Sequence, residues 1–169
     1  MNNMITIQEP ELIRAAEQGL DEFVDVFVDA TYKAIGGELN AQTMAMLTPQ
    51  QVSLLAYRIL RDEVMDGGFV QLIHNGYGPF FFNNPFGKVM RNWGLDELAT
   101  LINKAHRLYK KYHVEIEKEC GDEEFMALFE RFADFDECDD IFVEHEEEWT
   151  AKVAAYIDDH IDDFATIQG

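Results

Sequence analysis

From position 138 onward, Cys138, Ile141, Phe142, His145, Trp149, Val153, Tyr156, Ile157 and Ile161 recur at steps of three and four residues. That spacing gathers side chains on one face of an α-helix and scatters them over both faces of a strand. Asp140, Glu144, Glu147, Glu148, Asp158 and Asp162 fall largely on another face. The stretch therefore reads as an amphipathic helix with an aromatic and aliphatic stripe and an acidic flank.

The same period runs through most of the chain. Phe23, Val24, Phe27, Val28, Tyr32 and Ile35 form a stripe closed by Gly36-Gly37. Thr48-Pro49 is a helix start, with Thr at the N-cap and Pro at the first helical position; Val52, Leu55, Ala56, Ile59, Leu60 and Val64 follow, and this helix is expected to end at Gly67-Gly68. Residues 69–94 are less regular, rich in the turn formers of His74–Pro79 and Asn83-Asn84-Pro85, and read as short helical turns and loops. Leu98, Leu101, Ile102, Ala105, Leu108 and Tyr112 mark a further helix, and Asp122 opens a shorter one through Phe132. Strand candidates are few and lack partners. The expectation is an all-α fold, a single compact multi-helix domain over residues 1–169 with a long acidic C-terminal helix.

Charge narrows the function. The chain has 33 Asp and Glu against 13 Lys and Arg, a net of −20. Residues 1–62 carry 9 acids and 4 bases, residues 63–113 carry 4 and 6, and residues 114–169 carry 20 and 3. A field of this sign repels nucleic acid and anionic lipid and attracts basic proteins. Direct nucleic-acid and membrane binding are therefore not expected. The N-terminal Met1-Asn2-Asn3-Met4-Ile5-Thr6 has no basic segment leading into an apolar run, so a cytoplasmic location is expected, with Cys120 and Cys138 as reduced thiols.

Catalytic patterns fail one at a time. His145-Glu146 begins like a zinc-protease helix, but Trp149 stands where the second histidine belongs. No Glu precedes any histidine by three residues, as a di-iron bundle requires. Asp134–Asp139 has the carboxylate density of a calcium loop, with Asp139 and His145 at the positions that need Gly and Glu. No phosphate-cradling loop or nucleophile elbow is present, and Ser53 is the only serine. No catalytic residue, metal ligand or cofactor is assigned.

One block resembles a known family. Glu63-Val64-Met65-Asp66-Gly67-Gly68-Phe69-Val70-Gln71, followed by Asn75 and Gly78, is similar to the signature of the bacterial DNA-mimic proteins and their many uncharacterised relatives, with Asp66 where Asn is usual. Phe135-Asp136-Glu137-Cys138-Asp139-Asp140-Ile141-Phe142 and Tyr156-Ile157 match further along, so the resemblance covers roughly residues 48–164. It implies an all-helical fold and, as known for some relatives, carboxylates presented where DNA presents phosphates. The partner would be a basic DNA-binding protein, a transcription factor or nucleoid protein, met by a monomer or homodimer. The contact residues would be Asp136, Glu137, Asp140, Glu144, Glu147, Glu148, Asp158, Asp159, Asp162 and Asp163. Gly67, Gly68, Phe69, Gln71 and Asn75 are expected to be structural: Gly67 left-handed at the helix end, Phe69 in the core, Gln71 and Asn75 on freed backbone groups.

Two other readings stay open. One is an immunity-type inhibitor of a toxin nuclease, using the same electrostatics. The other is an enzyme with a site around Gln71, His74, Asn75 and Tyr77. The mimic reading requires the carboxylates to form one continuous exposed ridge with few Lys or Arg interrupting it, and acids scattered and neutralised by Lys88, Arg91, Lys104, Arg107, Lys110 and Lys111 would count against it; the enzyme reading requires His74 buried in a pocket of converging polar groups.

Overall fold

The computed structural model describes residues 5–169, so the Met1–Met4 part of the N-terminal reading lies outside the described residues. The elements in order are β1 (Thr6–Gln8), α1 (Glu9–Gln18), α2 (Leu20–Ala34), α3 (Ala41–Met44), α4 (Pro49–His74), α5 (Gly78–Phe82), α6 (Phe86–Asn92), α7 (Asp96–Ile116), α8 (Asp122–Arg131), a 3-10 turn (Ala133–Phe135), α9 (Asp136–Asp159), α10 (Ile161–Phe164) and β2 (Thr166–Gln168). The fold is all-α, as the apolar period requires, and no described helix is long and apolar enough to cross a membrane. The chain divides into two compact units. The first comprises the described residues up to 58 together with 148–169, the second residues 59–147, and both α4 and α9 contribute residues to each.

In the first unit, Val24, Phe27 and Val28 of α2 are buried, as are Leu54, Leu55 and Tyr57 of α4 and Trp149, Val153 and Ile157 of α9. Phe27 meets Phe164 edge-on at 6.4 Å between centroids. Two hydroxyls inside this apolar set pair with each other, as burial favours: Tyr57 Oη and Thr150 Oγ1 lie 2.7 Å apart. The start of α4 is a reciprocal cap, in which Thr48 Oγ1 accepts from the Gln51 N–H at 3.2 Å and Gln51 Oε1 accepts from the Thr48 N–H at 2.9 Å. Gln51 also donates to the Phe164 carbonyl at 2.9 Å, so one buried amide ties the helix start to the C-terminal segment.

The sequence reading missed one feature of this unit. The tripeptide Thr-Ile-Gln occurs twice, at 6–8 and 166–168, and the two copies pair as a parallel two-stranded sheet, Thr6 opposite Thr166 and Gln8 opposite Gln168. Strands of three residues are too short to show an alternating pattern. Helix α1 was not marked either, because Ala15 is its only buried residue.

In the second unit, Leu60, Phe69, Leu72 and Ile73 of α4 share burial with Phe81, Met90, Leu98, Ala105, Phe135, Cys138 and Phe142. Phe80-Phe81-Phe82 is helical, as the turn formers around it imply, within α5. Burial pushes the Cys138 thiol up to about 11, which leaves it an inert, neutral core side chain. Cys120 and Cys138 are both free.

Gln51→Ala is expected to lower stability by about 2–3 kcal/mol, because it removes the cap and leaves a buried carbonyl without its donor. Urea denaturation measures this; an unchanged midpoint would show that the amide ties nothing.

Candidate partner-binding surface

Helix α9 carries eight of the ten carboxylates singled out in the sequence. In its second-unit segment, positions 136, 137, 140, 144 and 147 fall within about 100° of arc at 100° per residue. All five are exposed, while Cys138, Phe142 and Glu146 of the same segment are buried. In the first unit, Glu148, Asp158 and Asp159 are exposed on the remainder of the helix. The continuous helix expected to reach Ile161 stops at Asp159. His160 leaves helical geometry at φ −135°, ψ 37°, its Nδ1 lies 2.8 Å from the Tyr156 carbonyl, and its ring stacks on Tyr156. Asp162 and Asp163 therefore stand exposed on the separate short helix α10.

Neutralisation is sparse. Lys104 Nζ pairs with Glu137 at 2.6 Å and Lys152 with Glu148 at 3.6 Å. Asp136, Asp140, Glu144, Glu147, Asp158, Asp159 and Asp163 have no ion-pair partner among the described residues. Of the six bases that could have cancelled the set, Lys104 alone is ion-paired to one of its members among the described residues.

The Gly-Gly-Phe block explains how the second-unit segment is held. Helix α4 breaks at Gly67 (φ −143°, ψ 15°) and Gly68 (φ 73°, ψ −174°). The left-handed residue is thus Gly68, not Gly67 as the sequence led us to expect. A Cβ at Gly68 would collide with the Asp139 carboxylate, and one at Gly67 with the Gln71 side chain. The break frees the Phe69 N–H, which donates to Asp139 Oδ1 at 2.8 Å. Gln71 and Asn75 do not serve freed backbone groups. Gln71 Nε2 donates to Glu63 at 2.7 Å and Asp66 at 3.0 Å, and Asn75 Nδ2 donates to Glu63 at 3.0 Å. Two amides thereby hold two carboxylates of their own helix.

Asp139 is the residue sequence reasoning passed over, since it looked like one more member of an acidic run. The available signal was its place between Cys138 and Phe142 on the buried side of the helix. Its half-buried position raises the carboxyl from 3.8 to about 7, a shift that the Phe69 N–H opposes and that Asp136 and Asp140 reinforce. Glu146, also turned inward and only 7% exposed, meets the Arg61 guanidinium of α4 at 2.5 Å.

The group proposed for an enzyme is committed to structural contacts. His74 Nδ1 lies 2.8 Å from the Ile116 carbonyl and its ring packs on Phe125, while Gln71 and Asn75 are taken up by Glu63. The Asp134–Asp139 run forms the 3-10 turn and the first turn of α9. Among the described residues no three His, Cys, Asp or Glu side chains are gathered as a cation site.

Comparison with known proteins bears on this surface. The family described as DMP19-like protein matches residues 45–160, a span holding α4 through α9, with the Gly-Gly-Phe block and Asp139. The chain is also 29% identical over 167 residues to the DNA mimic protein DMP19 of Neisseria meningitidis serogroup B (strain ATCC BAA-335 / MC58), covering 97% of this chain and 98% of that protein.

Because folding raises the Asp139 carboxyl, the unfolded chain ionises first, and stability from this group is full below about pH 4 and lost as pH rises through about 7. Asp139→Asn keeps an acceptor for Phe69 and removes the titration. Its melting temperature minus that of the wild type should therefore grow between about pH 4 and pH 7 and then level off; a difference flat across that range would refute the assignment. Gly68→Ala should cost about 1–3 kcal/mol from backbone geometry alone, read from the same melts.

Proposed function

The chain belongs to the DMP19-like protein family, and we propose that it is a non-enzymatic binding protein that acts as a DNA mimic. On this reading its exposed carboxylates stand in for phosphates on the DNA-binding face of a basic transcription factor or nucleoid protein in the cytoplasm. The observation that carries the proposal is the set of seven exposed carboxylates with no ion-pair partner among the described residues, against two that are paired. The Neisseria relative bears the name of a DNA mimic, and that name matches the chemistry of this surface.

Helical spacing suits the task. Acids four residues apart advance about 6 Å along the axis, while phosphates on one strand of DNA advance about 3.4 Å per nucleotide axially and further along the backbone. A cluster of Lys and Arg built to reach successive phosphates can therefore find several of these carboxylates together. Each such pair is exposed and screened by salt, so the energy comes from many weak contacts acting at once. The field also raises the rate of encounter with a cationic surface.

The test is capture from native cytoplasm at about 50 mM salt, where screening is weak, using the wild type and an Asp140→Asn, Glu144→Gln, Glu147→Gln, Glu148→Gln variant. A DNA-binding protein should be retained by the wild type, released by duplex DNA, and retained about tenfold less or weaker by the variant. Equal retention by both proteins would show that these carboxylates are not the contact.

A further inference from the structure

Within the second unit, α4 and α9 are pinned to each other at two points. Arg61 of α4 meets Glu146 of α9 at 2.5 Å, and further along α4 the Phe69 N–H meets Asp139, earlier in α9. The two segments therefore run antiparallel, and the positions midway between the pins, Met65 and Val143, stand at the same level. Both are exposed, at 45% and 53%.

Helical rotation places both on the solvent side of the contact. At 100° per residue Met65 is turned about 40° from Arg61, away from the buried Leu60 and Val64. Val143 is turned about 40° from Asp139 and about 60° from Glu146, away from the buried Cys138 and Phe142. The two apolar side chains thus flank one seam. Single apolar side chains scattered over a surface are ordinary, but these two come from distant parts of the chain to one place.

Carboxylates border that place on both sides. Asp62 and Asp66 lie exposed beyond Met65 on α4, and Asp136, Asp140 and Glu147 lie exposed beyond Val143 on α9. Arg61, held by Glu146, is the only Lys or Arg within 59–69 and 136–147. Across the seam the order is carboxylates, apolar pair, carboxylates. A DNA major groove has a corresponding order: phosphates, base edges that include the thymine methyl, phosphates. Packed helix axes lie about 8–10 Å apart, so the two acidic rows are separated on the same scale as the groove width of about 12 Å.

We propose that Met65 and Val143 form an apolar anchor, which receives an aliphatic side chain projecting from among the Lys and Arg of the partner's DNA-reading surface. The inference rests on the DNA-mimic reading and adds what selects the partner. Carboxylates alone attract any cationic protein, because exposed charge pairs are weak and their field is long-ranged. An apolar contact enclosed by charged pairs is short-ranged and excludes water, the arrangement in which a few central residues carry most of an interface's affinity. A basic surface without a matching aliphatic group leaves Met65 and Val143 wet and binds through charge alone.

Two synthetic helical peptides, each about 16 residues long so that a helix can form, test this by fluorescence anisotropy against the full chain. They share the same Lys and Arg and differ only in carrying Leu or Gln, residues of similar helix propensity, at two positions one turn apart. The wild type should bind the Leu peptide about tenfold more tightly. Between about 0.05 M and about 0.3 M salt both affinities should fall while their ratio holds, since screening acts on charge alone. Met65→Gln/Val143→Thr should abolish the ratio and leave the Gln peptide's affinity unchanged, which also shows that the variant is folded; Met65→Leu/Val143→Ile should keep the ratio. Equal affinity for the two peptides, no binding of either, or a preference that survives Met65→Gln/Val143→Thr would overturn the anchor. The Asp140→Asn, Glu144→Gln, Glu147→Gln, Glu148→Gln variant separates the two claims. If it weakens both peptides while the wild type shows no preference, the anchor fails alone; if it binds both as the wild type does, the mimic reading fails and the anchor with it.

Discussion

A single hydrogen bond organises the second unit: the Phe69 N–H, released where α4 breaks, donating to Asp139 of α9. An unmet backbone donor in the interior costs about 1–3 kcal/mol, so the break at Gly67-Gly68 and the acceptor opposite it require each other. Gly68 provides the backbone angle and leaves space where a side chain would strike that acceptor. Arg61 provides a second donor from the same helix, to Glu146. The two acids of this segment that turn inward both find partners on α4. Helical rotation then fixes the remaining acids outward, so the exposed charge at 136, 140, 144 and 147 follows from how Asp139 and Glu146 are held.

Such an arrangement stores unfavourable energy in the surface. With twenty acids against three bases in residues 114–169, the carboxylates repel one another wherever the solvent does not screen them. Among the described residues, the amides of Gln71 and Asn75 soften this locally by binding Glu63 and Asp66, and no comparable donor is given to Asp140, Glu144 or Glu147. On the proposed reading, a cationic partner relieves repulsion already present in the free protein and needs no deep cavity to do so.

The helices were legible because their apolar stripes are long enough to fix a period; α2, α4, α7 and α9 fall where the spacing put them. Elements without a stripe were not: α1 buries Ala15 alone, and the paired Thr-Ile-Gln strands are three residues each. The ten carboxylates could be named from the acidic run near the C-terminal end and the family resemblance, and all ten are exposed. What sequence could not separate was Asp139 from Asp140. They are identical side chains one position apart, and only the rotation of the helix sends one into the interior and the other to solvent. The expected continuity of the acidic row past Ile161 failed for a related reason, since nothing in the spacing announces that the His160 imidazole turns back onto the Tyr156 carbonyl.

The parallel pairing of β1 with β2 joins segments 160 residues apart, with the Thr166 N–H donating to the Ile5 carbonyl at 2.8 Å. Local helices can form within microseconds of their synthesis, but a contact of that separation has to await the whole intervening sequence and bear its loop-closure entropy. Until residue 168 has been made, Ile5 and Ile7, which are 1% and 2% exposed once paired, have no strand to lie against. The first unit is therefore a late-closing clasp, in which β1 waits through the synthesis of all the helices between it and its matching tripeptide.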